Sequence, residues 1–219
     1  MLIPSKQISV IVPTRNAERY IGRCLRSLLN QTIDFNKYEI ILINDASTDK
    51  TKEAIKTFLG DIVYIENKKK KGLPASLNVG IKKSRGQYIV RVDSDDWVHP
   101  EYLNMLYCHL NLNNDLDAVA CDYLEVDNNQ NTLAQKNFEN HPIGCGVMFK
   151  ISDIIKLGLY DSKLLAREDE DLLIRFKKKY KITRVPVPLY RYRKHKNNMT
   201  NNKKFMKKFL KKLKQKHTS

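Results

Sequence analysis

The alternation of apolar strands and amphipathic helices over the first hundred residues constrains the fold more than any other feature. Short runs rich in β-branched and aromatic residues predict strands, and the segments between them place apolar residues at helical spacing. The predicted strands are 7–12, 38–43, 62–66 and 87–92, and the predicted helices are 16–30, 50–59 and 74–84. Such alternation forms a parallel sheet with right-handed crossovers. The expected fold class is α/β, a single Rossmann-like domain with a mostly parallel central sheet flanked by helices.

The second half of the chain continues the same pattern less regularly. Helices are predicted at 101–111, at 153–157 and from residue 168, and strands at 118–123, 145–149 and 185–190. Ser47 or Thr48 is the expected cap of helix 50–59, and Ser152 that of helix 153–157. The polar stretch 127–140 shows no period, so a mobile loop or a hairpin is expected there.

Three carboxylates follow the fourth predicted strand within four residues, at Asp93, Asp95 and Asp96. Sheets of the α/β class bind ligands at the carboxyl ends of their strands. Two carboxylates at i and i+2 can hold Mg²⁺ or Mn²⁺ together with oxygens of a diphosphate. The alternative is an acidic turn that starts a helix, which is the commoner origin of an isolated D-x-D.

Three polar loops, 13–16, 44–49 and 93–96, follow strands of the predicted sheet and are expected to line one crevice. Asp45 in the second loop can accept hydrogen bonds from a base or ribose. The sequence contains no G-x-G-x-x-G or Walker loop, which disfavours a dinucleotide site or a P-loop. The composition of the crevice therefore indicates a nucleotide diphosphate, its phosphates bridged through a metal.

Four segments, taken in order, resemble a family 2 glycosyltransferase of the GT-A fold. They are VIVPTRN at 10–16, INDASTD at 43–49, Asn67 with GLPASLNVG at 72–80, and DSDD at 93–96. The agreement in order and spacing covers roughly residues 7–195. The resemblance implies a metal-dependent, inverting transfer of a sugar from a UDP-, GDP- or dTDP-linked donor, with Mn²⁺ or Mg²⁺ as cofactor. The acceptor would be a glycan or a lipid-linked molecule, in synthesis of envelope polysaccharide, lipopolysaccharide or another glycan.

The resemblance also implies which residues form the donor site. By motif match these are Pro13, Thr14, Asn16, Asp45, Asn67, Asp93 and Ser94 for the donor, with Asp95 and His195 for the metal. Two positions depart from the family pattern. Asn44 stands where an aspartate is usual, and Leu77 stands where many members have an arginine, for which the lysines at 68–71 would substitute. His195 would complete the metal shell or touch the diphosphate, although a lone histidine is more often a surface residue.

Four consecutive acids, Glu168–Asp171, open a predicted helix. Acids at a helix N-terminus are favoured by the macrodipole by ~0.3–1 kcal/mol each, which explains them without function. The resemblance implies instead that Asp169 is the general base and that Glu168 positions the acceptor. Crowded carboxylates raise one another's pKa toward the range where proton abstraction is efficient. Glu170 and Asp171 remain the alternative pair.

The chain divides by function into three expected parts: a nucleotide-sugar-binding half (1–110), an acceptor-binding half with the base (111–202), and a basic tail (203–219). The net charge is +16, and the tail carries eight lysines and no acid, so half of the excess lies there. Its apolar residues, Phe205, Met206, Phe209, Leu210 and Leu213, share one helical face. The tail is therefore expected to lie on an anionic membrane surface or to dock on the body.

Other classes fit less well. A nucleotidyltransferase would carry a glycine-rich loop near its first strand, and 13–16 is not one. A nucleic-acid-binding module would explain the charge, but the two acidic clusters would repel phosphate. The four scattered cysteines are expected to be reduced packing residues. No apolar span or signal peptide is evident, so the expected location is the cytoplasm, or the inner face of the membrane if the tail binds lipid.

Overall fold

The computed structural model describes residues 5–218, which form a mixed α/β domain. The strands are β1 (Lys6–Thr14), β2 (Tyr38–Asn44), β3 (Val63–Glu66), β4 (Gly86–Arg91), β5 (Trp97–Val98), β6 (Ala118–Val126), β7 (Thr132–Lys136), β8 (Val147–Lys150) and β9 (Ile182–Arg193). The α-helices are α1 (Ile21–Leu29), α2 (Thr51–Ile55), α3 (Leu73–Lys83), α4 (Tyr102–Asn111), α5 (Ile151–Lys156), α6 (Glu168–Lys177) and α7 (Lys203–His217).

All of these strands belong to one sheet with the order β3-β2-β1-β4-β8-β6-β9-β5, and β7 pairs with β6. The pairs β1–β2, β1–β4 and β2–β3 are parallel, as is β6–β9. Strand β8 runs antiparallel between β4 and β6 and joins the two halves of the sheet. The prediction of an α/β fold is confirmed, and the carboxyl ends of β1, β2 and β4 meet at one edge.

The core lies on both faces of this sheet because neighbouring residues of a buried strand point to opposite sides. Val10 faces the layer that contains α1 and α4, and Ile11 faces the layer that contains α3 and α6. Helix α3 lies very close to the sheet at Gly80, where an added Cβ would stand 2.6 Å from Cγ2 of Ile11. Glycine at this position lets the helix pack against β1 and β2.

Helix α1 begins at Ile21, five residues later than the sequence pattern suggests. The reason lies in Asn16, whose φ of 51° is left-handed and whose Oδ1 accepts a hydrogen bond from the backbone N–H of Thr48 at 2.9 Å. The segment is therefore tied to the neighbouring loop, which prevents an earlier helical turn.

The predicted caps of two helices are wrong. The first backbone N–H of α2, that of Thr51, donates to Oδ1 of Asp49 at 3.0 Å, so neither Ser47 nor Thr48 caps this helix. Ser152 lies inside α5, which begins at Ile151. The stretch 127–140 contains the hairpin strand β7, one of the two predicted alternatives.

Helix α7 packs on the body through its apolar face. Phe209 and Leu213 are buried in a small cluster with Leu164 and Ala166. At its C-terminal end, Lys216 Nζ lies 2.9 Å from Oδ1 of Asp171. This is the docked arrangement of the two that the sequence left open. Between residues 5 and 218, every helix is too short or too polar to cross a bilayer.

Candidate functional site

A crevice of about 630 Å³ lies at the carboxyl edge of β1, β2 and β4. The predicted site residues that line it are Pro13, Thr14, Asp45, Asp93, Ser94, Asp95, Glu168 and Asp169. Asn16, Asn67 and His195 do not line the crevice, and each is hydrogen-bonded to a loop that does. The two acidic motifs, distant in sequence, therefore face one space.

Asp45 organises the side of the crevice that follows β2. Its Oδ1 accepts hydrogen bonds from Asn67 Nδ2 at 2.9 Å and from the backbone N–H of Lys71 at 2.8 Å, and its Oδ2 accepts one from that of Gly72 at 2.9 Å. Burial by itself raises the pKa of Asp45, but these hydrogen bonds outweigh it and lower the pKa below its ordinary value. Asn67 thus acts on the site through Asp45, and Asn16 acts through the 44–49 loop.

Arg91, at the end of β4, connects the two acidic motifs. Its guanidinium donates to both carboxylate oxygens of Asp93, at 2.6 and 2.9 Å, and to Oε1 of Glu168 at 2.9 Å. The side chain is only 8% exposed, so the ion pairs form in a largely dry environment. Sequence reasoning missed this residue, and the signal was a charge in the middle of the apolar run YIVRV.

Asp96 is a structural carboxylate. It is buried, and it accepts hydrogen bonds from Tyr190 Oη at 2.7 Å and from the backbone N–H of Arg193 at 2.7 Å. Its pKa is raised well above the usual range by burial and by repulsion from Asp95 and Asp93. Both oxygens are therefore used to anchor the D-x-D turn to β9.

Cys145, Asp93 and Asp96 offer three possible metal-ligand atoms within 4.8 Å of one another, but both carboxylates already accept two hydrogen bonds each. The Cys145 thiol lies 3.1 Å from Oδ2 of Asp93, and burial together with repulsion from Asp93 raises its pKa well above the ordinary value. A thiol is also a softer donor than Mg²⁺ or Mn²⁺ prefers. All four cysteines are free, as expected, and Cys145 is one of the three that are buried; the expectation of a packing role is wrong for Cys108, which is exposed.

Asp95 and His195 fit a divalent cation better. Oδ2 of Asp95 lies 2.8 Å from Nε2 of His195, and the Asp95 side chain is 29% exposed at the crevice. Within residues 5–218, Oδ1 of Asp95 has no hydrogen-bond partner, which leaves it free for a ligand. The His195 ring stacks on Tyr20 with 4.8 Å between centroids, which fixes its orientation. A carboxylate suits Mn²⁺ or Mg²⁺. Nε2 of His195 would exchange its contact with Asp95 for the metal ion, because Nδ1 already accepts a hydrogen bond from the backbone N–H of Asn197 at 3.3 Å.

Asp169 lies in the first turn of α6, with its carboxylate held by backbone groups. Its Oδ2 accepts from the N–H of Gly144 at 3.1 Å, and its Oδ1 accepts from the N–H of Glu170 at 2.9 Å. A Cβ on Gly144 would stand 2.4 Å from Cβ of Asp169, so this approach requires glycine. Arg167, the residue before α6, has a left-handed φ of 60° that turns the chain into the helix.

Glu168 has the perturbed carboxyl group of the pair. Oε2 is buried and has no hydrogen-bond partner among the described residues. Burial first, and then repulsion from Asp169, raise the pKa of Glu168 to about 7, although Arg91 opposes the shift. Glu168 is therefore partly protonated near neutral pH.

In the alternative pair, Glu170 lines the crevice and Asp171 does not. Asp171 is fully buried and forms ion pairs with Arg175, Lys216 and His217 at 2.8 to 2.9 Å, away from the crevice. Burial alone raises the pKa of Asp171, but hydrogen bonds from Lys216, His217 and Arg175 and the charge of Arg175 lower it. Glu170 lines the crevice and pairs with Arg167.

The mixed α/β sheet has the GT-A fold, which solved glycosyltransferase structures share with this chain. The sequence model of Glycosyl transferase family 2 matches residues 9–173, and the chain belongs to that family.

Comparison with individual proteins gives the same result. Over 206 residues the chain is 31% identical to the minor teichoic acid biosynthesis protein GgaB of Bacillus subtilis, covering 84% of this chain and 23% of that protein. The chain spans 15% to 59% of the length of the curated relatives compared.

Two solved structures share the fold at low sequence identity. S. aureus TarS 1–349 in complex with UDP-GlcNAc superimposes with a TM-score of 0.80 at 19% identity, over 94% of this chain and 65% of that one. The mannosyltransferase PcManGT from Pyrobaculum calidifontis, in complex with GDP-Man and Mn²⁺, superimposes with a TM-score of 0.77 at 18% identity, over 96% and 63%.

Proposed function

We propose that this chain transfers a sugar from a nucleotide diphospho-sugar to an acceptor hydroxyl, with inversion and with the help of a divalent metal ion. The observation that carries the proposal is that Asp95 and Asp169, from motifs 74 residues apart in sequence, line the same crevice. One suits a metal-bound diphosphate and the other an acceptor hydroxyl.

Asp169 is the general base in this scheme. It takes the proton of the acceptor hydroxyl while the acceptor oxygen bonds to the anomeric carbon, and the bond from that carbon to the diphosphate oxygen breaks. Attack on the face opposite the diphosphate inverts the configuration. The hydrogen bonds from Gly144 and Glu170 fix the carboxylate in position for this role.

Asp95 and His195 would hold the metal ion, which would supply positive charge to stabilise the diphosphate as it leaves. Asp93, clamped by Arg91, lies beside the ribose and donor sugar, with Ser94 next to it. Pro13, Thr14 and Asp45 form the nucleoside end. Asn67 supports it through its hydrogen bond to Asp45, and Asn16 supports it through the 44–49 loop. Glu168 positions the acceptor.

The acceptor is a glycan or a lipid-linked molecule of cell-envelope synthesis. The name of the relative GgaB, a teichoic acid biosynthesis protein, supports this choice. The reaction would take place in the cytoplasm or at the inner face of the membrane.

Thermal unfolding with UDP, GDP and dTDP, each with and without Mn²⁺ or Mg²⁺, tests the donor site. A ligand at 100 times its Kd stabilises by about 2.7 kcal/mol. We expect one nucleotide to raise the melting temperature in a metal-dependent way, and we expect Asp95→Asn to abolish this shift. The control, Asp115→Asn, changes an exposed aspartate outside the crevice and should retain the shift. Equal shifts with and without metal would reject the metal site, and the absence of any shift would reject the nucleotide-sugar function.

A further inference from the structure

The outward face of α7 is a row of lysines that the fold leaves unpaired. Lys203, Lys204, Lys207, Lys211 and Lys214 are all exposed, and no acid lies between residues 203 and 217. Within the described part of the chain, the ion pairs of α7 are formed by Lys216 and His217 alone. We call these five residues the lysine row.

The lysine row is electrostatically unfavourable to the helix that carries it. Lys203 and Lys207, and Lys207 and Lys211, are four residues apart, where like charges repel. Lysines in the first turn also oppose the helix dipole. A bound anion would remove both penalties.

The lysine row begins at the mouth of the crevice. Phe205 and Met206, in the first turns of the same helix, line the crevice. The backbone oxygen of Met206 accepts a hydrogen bond at 3.4 Å from Nε of Arg167, next to Glu168. From Lys203 to Lys214 the helix rises about 16 Å, at 1.5 Å per residue. One small anion cannot span that length, whereas a chain with repeated charges can.

The docking of α7 decides how the surface binds its ligand. Phe209 and Leu213 are 3% and 5% exposed, so the apolar face is already covered by the body. Insertion of that face into lipid would require the helix to leave the body and break the ion pairs of Lys216. Binding by the lysine row alone leaves these contacts intact.

We propose that the lysine row of α7 binds an acceptor chain that carries repeated phosphate groups and leads it into the crevice. The inference rests on the proposed function, since it specifies the acceptor of that reaction. Lysine binds phosphate as a point charge, without a fixed geometry, which suits a flexible polymer that must move through the site.

The test uses a fluorescein-labelled glycerol phosphate oligomer and measures its binding by fluorescence anisotropy at several salt concentrations. The triple variant K203Q/K207Q/K211Q removes three charges from the row. The matched control, K56Q/K82Q/K178Q, removes three exposed lysines elsewhere. Because glutamine is a good helix former and the substitutions relieve repulsion, α7 stays docked in the row variant.

We expect the row variant to bind the oligomer at least about tenfold more weakly and to lower the slope of log K against log salt by about 2, while the control is unchanged. Equal losses in both variants, or no binding by the unmodified protein, would overturn the inference. If the row variant no longer sediments with phosphatidylglycerol vesicles but binds the oligomer as the unmodified protein does, the ligand of the lysine row is a membrane surface and the inference is overturned. The metal-dependent nucleotide shift, measured on the same samples, reports separately on the donor site.

Discussion

At the residue scale, the organisation of the site depends on one buried arginine. Arg91 holds Asp93 with two hydrogen bonds and Glu168 with a third, so a residue of β4 orients a carboxylate at the start of α6. Removal of one partner of a buried pair leaves the other charge uncompensated. This coupling explains why the two acidic motifs face each other.

Asp169→Asn tests the assignment of the base. The amide cannot accept the proton, so we expect sugar transfer to fall by about 10²- to 10⁴-fold, the usual contribution of a general base. Nucleotide binding, measured by thermal shift, should be unchanged, because Asp169 does not belong to the donor loops. The control is Glu170→Gln, the neighbouring acid in the crevice, which should retain most activity. The reverse pattern would transfer the role of base to Glu170.

Glu168→Gln tests whether the carboxyl group of Glu168 has a raised pKa in the folded protein. The pKa of about 7 in the folded state lies above the unfolded value of about 4.3. The folded state therefore holds the proton more tightly, and this stabilisation is complete below pH ~4.3 and is lost as the pH rises through about 7. Its size is on the order of 4 kcal/mol, from about 1.4 kcal/mol per pKa unit.

The measurement is the melting temperature of both proteins from pH 5 to pH 8. The difference between the two cancels the titration of groups that they share. We expect the unmodified protein to lose stability relative to Glu168→Gln over this range. Parallel curves would show that Glu168 has an ordinary pKa.

At the element scale, α7 is a docked wall of the crevice, held by the apolar cluster and by the ion pairs of Asp171. Leu213→Ala removes a side chain that is only 5% exposed, so we expect docking to weaken by about 2 kcal/mol or more, which is about a 30-fold change in the opening equilibrium. Tryptic cleavage after the lysines of α7 should accelerate accordingly. The control is Lys207→Ala, at an exposed position of the same helix. Trypsin should cleave this variant after the other lysines of α7 at the rate of the unmodified protein. Equal rates for Leu213→Ala and the unmodified protein would mean that the apolar contact does not hold the helix.

At the scale of the whole molecule, the two halves that we propose to bind donor and acceptor share one sheet. Strand β4 pairs with β8 and strand β5 pairs with β9, so a cut after residue 110 exposes strand edges and buried apolar faces. We expect residues 1–110 alone to give a poorly dispersed NMR spectrum and no metal-dependent thermal shift with nucleotide. The full chain should give a well-dispersed spectrum and the thermal shift. A folded, nucleotide-binding fragment would show that the donor half is an independent unit.

The sequence by itself determined the strand–helix alternation, the strand ends at which the polar loops lie, and the positions of both acidic motifs. These features depend on local periodicity and on composition, which a sequence displays directly. The bounds of α1 and the helix caps were predicted less well, because contacts such as that of Asn16 with Thr48 lie between loops that are distant in sequence.

Only the tertiary structure decided how the carboxylates differ from one another. Asp96 is buried and accepts a hydrogen bond from Tyr190, and Asp171 forms an ion pair with Lys216. Glu168 and Asp93 both accept hydrogen bonds from Arg91. Asp95 faces the crevice beside His195. Their sequence contexts are nearly alike, since each is an acid among acids. Burial and distant partners set the charge and accessibility of each group, and those arise only when the strands and helices are assembled.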